Sequence, residues 1–224
     1  MATFGERVEA LTGFDNDNDT SGSAFGSTSK ETMLDDWLTQ GAREVIGSMP
    51  MPLLQLLSSA NAISSGSGLA ITNSKILSVT RNDGTIDQPC RPIDAQVKGR
   101  AASSSGYFDE ATSTDPAFYI ENKTLYILPA PTASSGSGSG NANIVDFPTP
   151  TRGQDESNFG TTPKEIFEPI VLYAAIKAAE YLMASEEDPE LYNPILVELR
   201  SAYENYKATI AASYGGGARA QEGE

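Results

Sequence analysis

Apolar residues recur with helical spacing towards both ends of the chain and with strand spacing in its middle. Phe4, Val8 and Leu11 follow i, i+4, i+7, and Thr3 and Glu6 have capping-box spacing, which predicts a short helix ended by Gly13. Thr28 and Glu31 repeat that spacing ahead of Met33, Leu34, Trp37, Leu38, Val45 and Ile46, predicting a second helix to about Gly47. Pro50 and Pro52 break the pattern; residues 53–57 offer one more apolar turn, and the Ser/Gly-rich tract 58–68 reads as a loop.

Strand character follows. Residues 75–80 are rich in β-formers, 81–84 supply a turn, and 85–93 return as an edge strand because Pro89 and Pro92 lack donors. A clearer hairpin joins 117–121 to 123–128 through a tight turn near Asn122. Residues 144–147 add one more strand, after a Ser/Gly tract at 134–140 that reads as a flexible excursion.

Helical signals then return at full strength. Thr162, Pro163 and Glu165 occupy N-cap, N1 and N3 ahead of a stripe of Ile166, Ile170, Val171, Ala174, Ala178, Tyr181 and Leu182. Pro169 fits only in the first two turns or at a kink. A further start at Pro189 or Pro194 leads into Ile195, Leu199, Tyr203, Tyr206 and Ile210, stopping near Gly215. These two helices read as an αα-hairpin. The expected class is α+β: a helical bundle from the early and C-terminal helices (31–69 and 160–213) interrupted by a β-rich antiparallel insertion (70–150). Residues 1–30 form a short helix and acidic linker, and 214–224 a polar, glycine-rich tail.

Composition narrows the chemistry. The 224 residues can bury a sizeable core without staples. Acidic residues number 30 against 15 basic ones, a net charge of −15, which argues against a free-standing nucleic-acid binder. The chain has no histidine, so Ser-His-Asp, Cys-His and His-ligated metal mechanisms cannot be assembled within it. Cys90 is the single cysteine and forbids an intramolecular disulfide. The first residues lack a basic start before an apolar stretch and no run of about 18 apolar residues occurs, predicting a soluble, unsecreted protein.

The remaining chemical motifs are weak. Residues 15–22 resemble half an EF-hand loop, but the sixth position is Thr20 where glycine is needed and the twelfth is Gly26 where glutamate is needed. The paired carboxylates Asp35-Asp36 and Glu186-Glu187-Asp188 read as solvated faces or helix-dipole complements. Ser137 and its neighbours have no base to activate them, and neither a P-loop nor a dinucleotide fingerprint is present. The expectation is a non-enzyme without cofactors or metals. Tyr173, Tyr181, Tyr192, Tyr203, Tyr206 and Tyr214 gather in the C-terminal helices, where they suit a core or an intersubunit surface.

Three stretches stand out together: the early helix 32–38 around Trp37, the β-rich middle containing Thr114-Asp115-Pro116-Ala117-Phe118-Tyr119-Ile120-Glu121-Asn122, and 163–179 from Pro163 to Ala179. Their combination resembles the head-tail connector, or adaptor, proteins of tailed bacteriophages. The layout covers about residues 30–212. The resemblance implies a virion protein of the neck or tail, met in the host cytoplasm during assembly. It would form a homo-oligomeric ring of about a dozen copies under the portal protein. It would also contact the next neck or tail protein (nozzle, tube or terminator) and pass genomic DNA through its channel without reading sequence, with no membrane involved.

The family's use of terminal segments points to Tyr203, Tyr206, Lys207, Ile210, Tyr214 and Arg219 as candidate portal or subunit contacts. An acidic lumen would repel phosphate and keep DNA sliding; the same charge would also keep an unassembled subunit soluble. The alternative is a peripheral virion module binding a receptor or glycan through Tyr107, Phe108, Phe118, Tyr119 and Tyr126, although Phe118, Ile120, Leu125 and Ile127 equally suit the inner face of a small sheet.

Overall fold

The computed structural model describes residues 2–15, 29–64, 66–103, 106–160, 162–185 and 189–215. The fold is α+β, with early and late helices and two β-sheets between them in sequence. The chain divides into two compact units, Met1–Leu53 with Phe147–Glu224, and Leu54–Asp146.

In the helical unit, α1 (Phe4–Thr12) carries the expected capping box at Thr3 and Glu6, and the Gly13 N–H closes it on Glu9. Helix α2 (Lys30–Ser48) is capped by Ser29, whose hydroxyl accepts from the Thr32 amide, one position later than the Thr28 predicted from spacing. Thr28 and all but Asp15 of the acidic linker lie outside the described residues. A short α3 (Met51–Leu57) follows the break at Pro50 and contains the boundary between the units.

The predicted start at Pro163 is displaced. Thr162 makes no cap; a single 3₁₀ turn at Lys164–Ile166 precedes the α-helix that spans Phe167–Ser185, numbered α5 below. Pro169 explains the shift: it has no N–H, so the α-helix must begin late enough to keep it in the first turn, where that donor is not needed. This helix is buried around most of its circumference, by Phe167, Ile170, Leu172, Ala175, Ala178 and Leu182 among others. It packs against α1, α2 and the final helix, α6 (Pro189–Gly215). Gly41 of α2 makes the closest approach: a Cβ there would lie 3.0 Å from Tyr173 Cδ1 and 3.2 Å from the Ile170 carbonyl. Arg7 of α1 pairs with both Glu156 and Glu168, tying α1 to the segment before α5 and to α5 itself.

The second unit holds two four-stranded sheets. One runs β1 (Ser59–Ile63), β8 (Gly140–Asp146), β3 (Ser74–Asn82), β4 (Asp87–Pro89). The other runs β2 (Leu69–Ala70), β7 (Thr124–Leu128), β6 (Ala117–Glu121), β5 (Arg91–Pro92). Pairing is antiparallel except between β5 and β6. Ile63, Val79, Leu125, Ile127, Ala142 and Ile144 from both sheets share one core. A short α4 (Lys98–Ala101) lies between β5 and β6 in sequence.

Three expectations are corrected here. The Ser/Gly-rich tract 58–68 is not all loop: it supplies β1, which pairs along β8, so the β unit starts at Leu54 and not near residue 70. The return strand at 85–93 is split, β4 on the edge of one sheet and β5 on the edge of the other, each edge accommodating a proline. The Ser/Gly tract 134–140 is pinned at its C-terminal end: the Thr132 amide donates to the Gly138 carbonyl, and Gly138 and Ser139 exchange backbone hydrogen bonds with Asn82. The hairpin at Asn122 forms as predicted, with Asn122 and Lys123 both at positive φ (51° and 59°), the geometry a two-residue turn between twisted strands requires.

Candidate functional site

Six residues near the C-terminus were singled out by sequence, and α6 places five of them. Tyr203 and Ile210 face inward, each 6% exposed, with Tyr192, Leu196 and Leu199 completing the buried stripe. Tyr203 donates its hydroxyl hydrogen bond to Glu44 Oε1 at 3.1 Å, and its ring tilts against Tyr173. Burial first, then the Glu44 charge, push the Tyr203 phenol well above the ordinary tyrosine value. Lys207 Nζ lies 4.9 Å from the centre of the Tyr203 ring and 3.7 Å from Glu204. Tyr206 is exposed and Tyr214 half-buried; Arg219 lies outside the described residues.

Two surface features of α6 were not anticipated. Helix phase puts Tyr192 and Leu196 inward in place of Ile195, and this turns Leu191, Pro194 and Val197 outward at i, i+3, i+6. Leu191 is 58% and Val197 69% exposed, with Glu190 and Glu198 beside them. Further along the same helix, Ala208, Ile210 and Ala211 face Val45, Met49 and Pro50 of the α2–α3 corner across a mainly apolar cleft of about 270 Å³. Glu204 and Lys207 also line it. The sequence signal for the outward row was present in the spacing of Leu191 and Val197, but the proline between them obscured where the helix began.

The aromatic residues considered for a β-unit platform do not share a face. Phe118 packs against the core shared with Leu125 and Ile127. Tyr119 and Tyr126 point the other way and stack at 5.1 Å, with Lys98 over Tyr119 and paired to Glu121. The Glu121 hydrogen bond leads the causes that raise the Lys98 ammonium above its ordinary value. Tyr107 and Phe108 sit apart on a turn, where Phe108 is fully exposed. That turn is held from beneath by Arg91, which donates to the Asp109 and Glu110 carbonyls, and by the Arg100–Asp109 ion pair.

Two of the candidate acidic and serine residues have structural partners. Asp35 accepts the Arg152 amide at 2.7 Å, and Ser139 Oγ donates to the Gly136 carbonyl. Burial pushes the Cys90 thiol up to about 12, so it is protonated and unreactive near neutral pH. Glu186, Glu187 and Asp188 lie outside the described residues. Among the described residues no three His, Cys, Asp or Glu side chains gather as a metal site, and no helix is long and apolar enough to cross a membrane. No protein-family model matches the chain, and no curated protein matches it.

Proposed function

We propose that this chain is a structural protein of a tailed bacteriophage, a head-tail adaptor that assembles as a ring of about a dozen copies between the portal and the tail. The observation that carries the proposal is on α6. One helix presents an outward apolar row and, a few turns later, one wall of an apolar cleft. Large apolar groups held in water along a helix are costly for a monomer and useful to a subunit that meets copies of itself. The layout of early helix, β-rich insertion and closing αα-hairpin supports the same reading. The acidic balance suits either a channel that lets DNA slide or a subunit that stays soluble until it assembles. In this role the protein performs no catalysis; its partners are itself, the portal and the next neck or tail protein, and DNA passes without sequence-specific contact.

A second reading, a peripheral module for a receptor or glycan, draws on Tyr107 and Phe108, both exposed on a pinned turn. Virus particles made without the chain separate the two. The adaptor reading expects filled heads that carry no tail and lose their genome. Complete tailed particles that fail only to adsorb would overturn it in favour of the peripheral module.

A further inference from the structure

We infer that the ring contact is head-to-tail along α6: the Leu191–Pro194–Val197 row of one copy seats in the cleft between α2 and the C-terminal half of α6 of the next. The inference rests on the adaptor reading. It commits the cleft to a second copy of this chain on three grounds.

The two surfaces match in character. The row is apolar and exposed to solvent, and the cleft is lined largely by apolar groups, among them the buried Val45, Met49 and Ile210. They match in shape, because an i, i+3, i+6 row is a ridge of the kind that fits a groove on another helix. The small side chains of Ala208 and Ala211 allow that helix to come close. Charge contributes at one residue. Glu190 and Glu198 accompany the row, and the cleft presents Lys207, which lies 4.9 Å over the Tyr203 ring and 3.7 Å from Glu204, itself a cleft residue, so a carboxylate of the row takes Lys207 by displacing Glu204. The row and the cleft occupy different stretches of one helix, so each copy can use both at once. Such a heterologous contact propagates from copy to copy and closes as a ring when the rotation permits.

Paired cysteines test this directly. Val197 and Ala208 are on one helix, eleven residues or about 16 Å apart, well beyond the roughly 7 Å that a disulfide can span. Any bond between cysteines at these positions therefore joins two copies. The double variant Val197→Cys, Ala208→Cys is made in a Cys90→Ala background, shown by circular dichroism to be folded, and oxidised with copper phenanthroline, alone and with the portal protein. If that background loses structure, the pair is placed on the native chain and the single variants control for Cys90.

The expected result is a ladder of linked copies from the double variant, dimers only from an equal mixture of the two single variants, and monomers from each single variant by itself. A double variant that stays monomeric overturns the contact. So does a Val197→Cys variant that dimerises by itself, since that marks a symmetric contact. Rings seen in micrographs without these links overturn the contact and leave the adaptor reading standing; no rings and no links remove both.

Discussion

Tyr203 joins three parts of the helical unit through one side chain. Its hydroxyl reaches Glu44 on α2, its ring meets Tyr173 on α5, and Lys207 covers its face from α6. A folded-state value raised above the ordinary 10.0 means that its contribution to stability is complete below that pH and is lost as pH rises through the folded value. Alkaline denaturation of the native chain is therefore expected to begin above about pH 10, and Tyr203→Phe should flatten the part of the pH dependence that Tyr203 supplies. The same variant gives up one hydrogen bond, about 0.5–1.5 kcal/mol in a urea titration, because the exposed Glu44 returns to water. An unchanged alkaline profile would contradict this account of Tyr203. Cys90 makes a second prediction at this scale: buried and protonated, it should react with a thiol reagent such as DTNB only after the β unit is unfolded. Rapid labelling of the native protein would contradict the burial of Cys90 in the β-unit core.

At the scale of elements, the tightest constraint is the crossing of α2 and α5 at Gly41. A Cβ there gains about 1 kcal/mol of helix propensity, but any branched side chain must displace the Tyr173 ring and the Ile170 carbonyl. Gly41→Val should destabilise the protein by about 1–3 kcal/mol, read from the denaturation midpoint; no loss would mean the helices can separate freely. Helix α1 was legible in sequence in both apolar period and cap, whereas α2, α5 and α6 were legible from their apolar period, with the cap of α2 displaced by one residue to Ser29. The start of α5 was not, because an N-cap signature at Thr162 competes with a proline seven residues later, and the proline's missing donor prevails. Strand β1 was hidden for a different reason. Ser59-Ala60-Asn61-Ala62-Ile63 has little β propensity of its own and is a strand because β8 supplies its partners, information that lies far away in the chain. The candidate contact residues were legible in part. Periodicity found the inward Tyr203 and Ile210, but the cleft needed the α2–α3 corner, and spacing within α6 carries no trace of that.

For the whole molecule, net charge and exposed apolar surface pull in opposite directions. A charge of −15 repels separate copies at low salt, whereas the proposed contact of the α6 row with the cleft would bring them together. Ring formation should accordingly strengthen as ionic strength rises from about 10 mM to 150 mM, where the Debye length falls from roughly 30 Å to 8 Å. Assembly that weakens over that range would mean the contacts are chiefly ionic. The central claim, that this chain is a ring-forming adaptor, is tested most directly by its native mass alone and after mixing with the portal protein of the same virus, with micrographs of whatever forms. The account predicts a closed ring of about a dozen copies stacked on the portal. A chain that stays monomeric or trimeric and ignores the portal would contradict it.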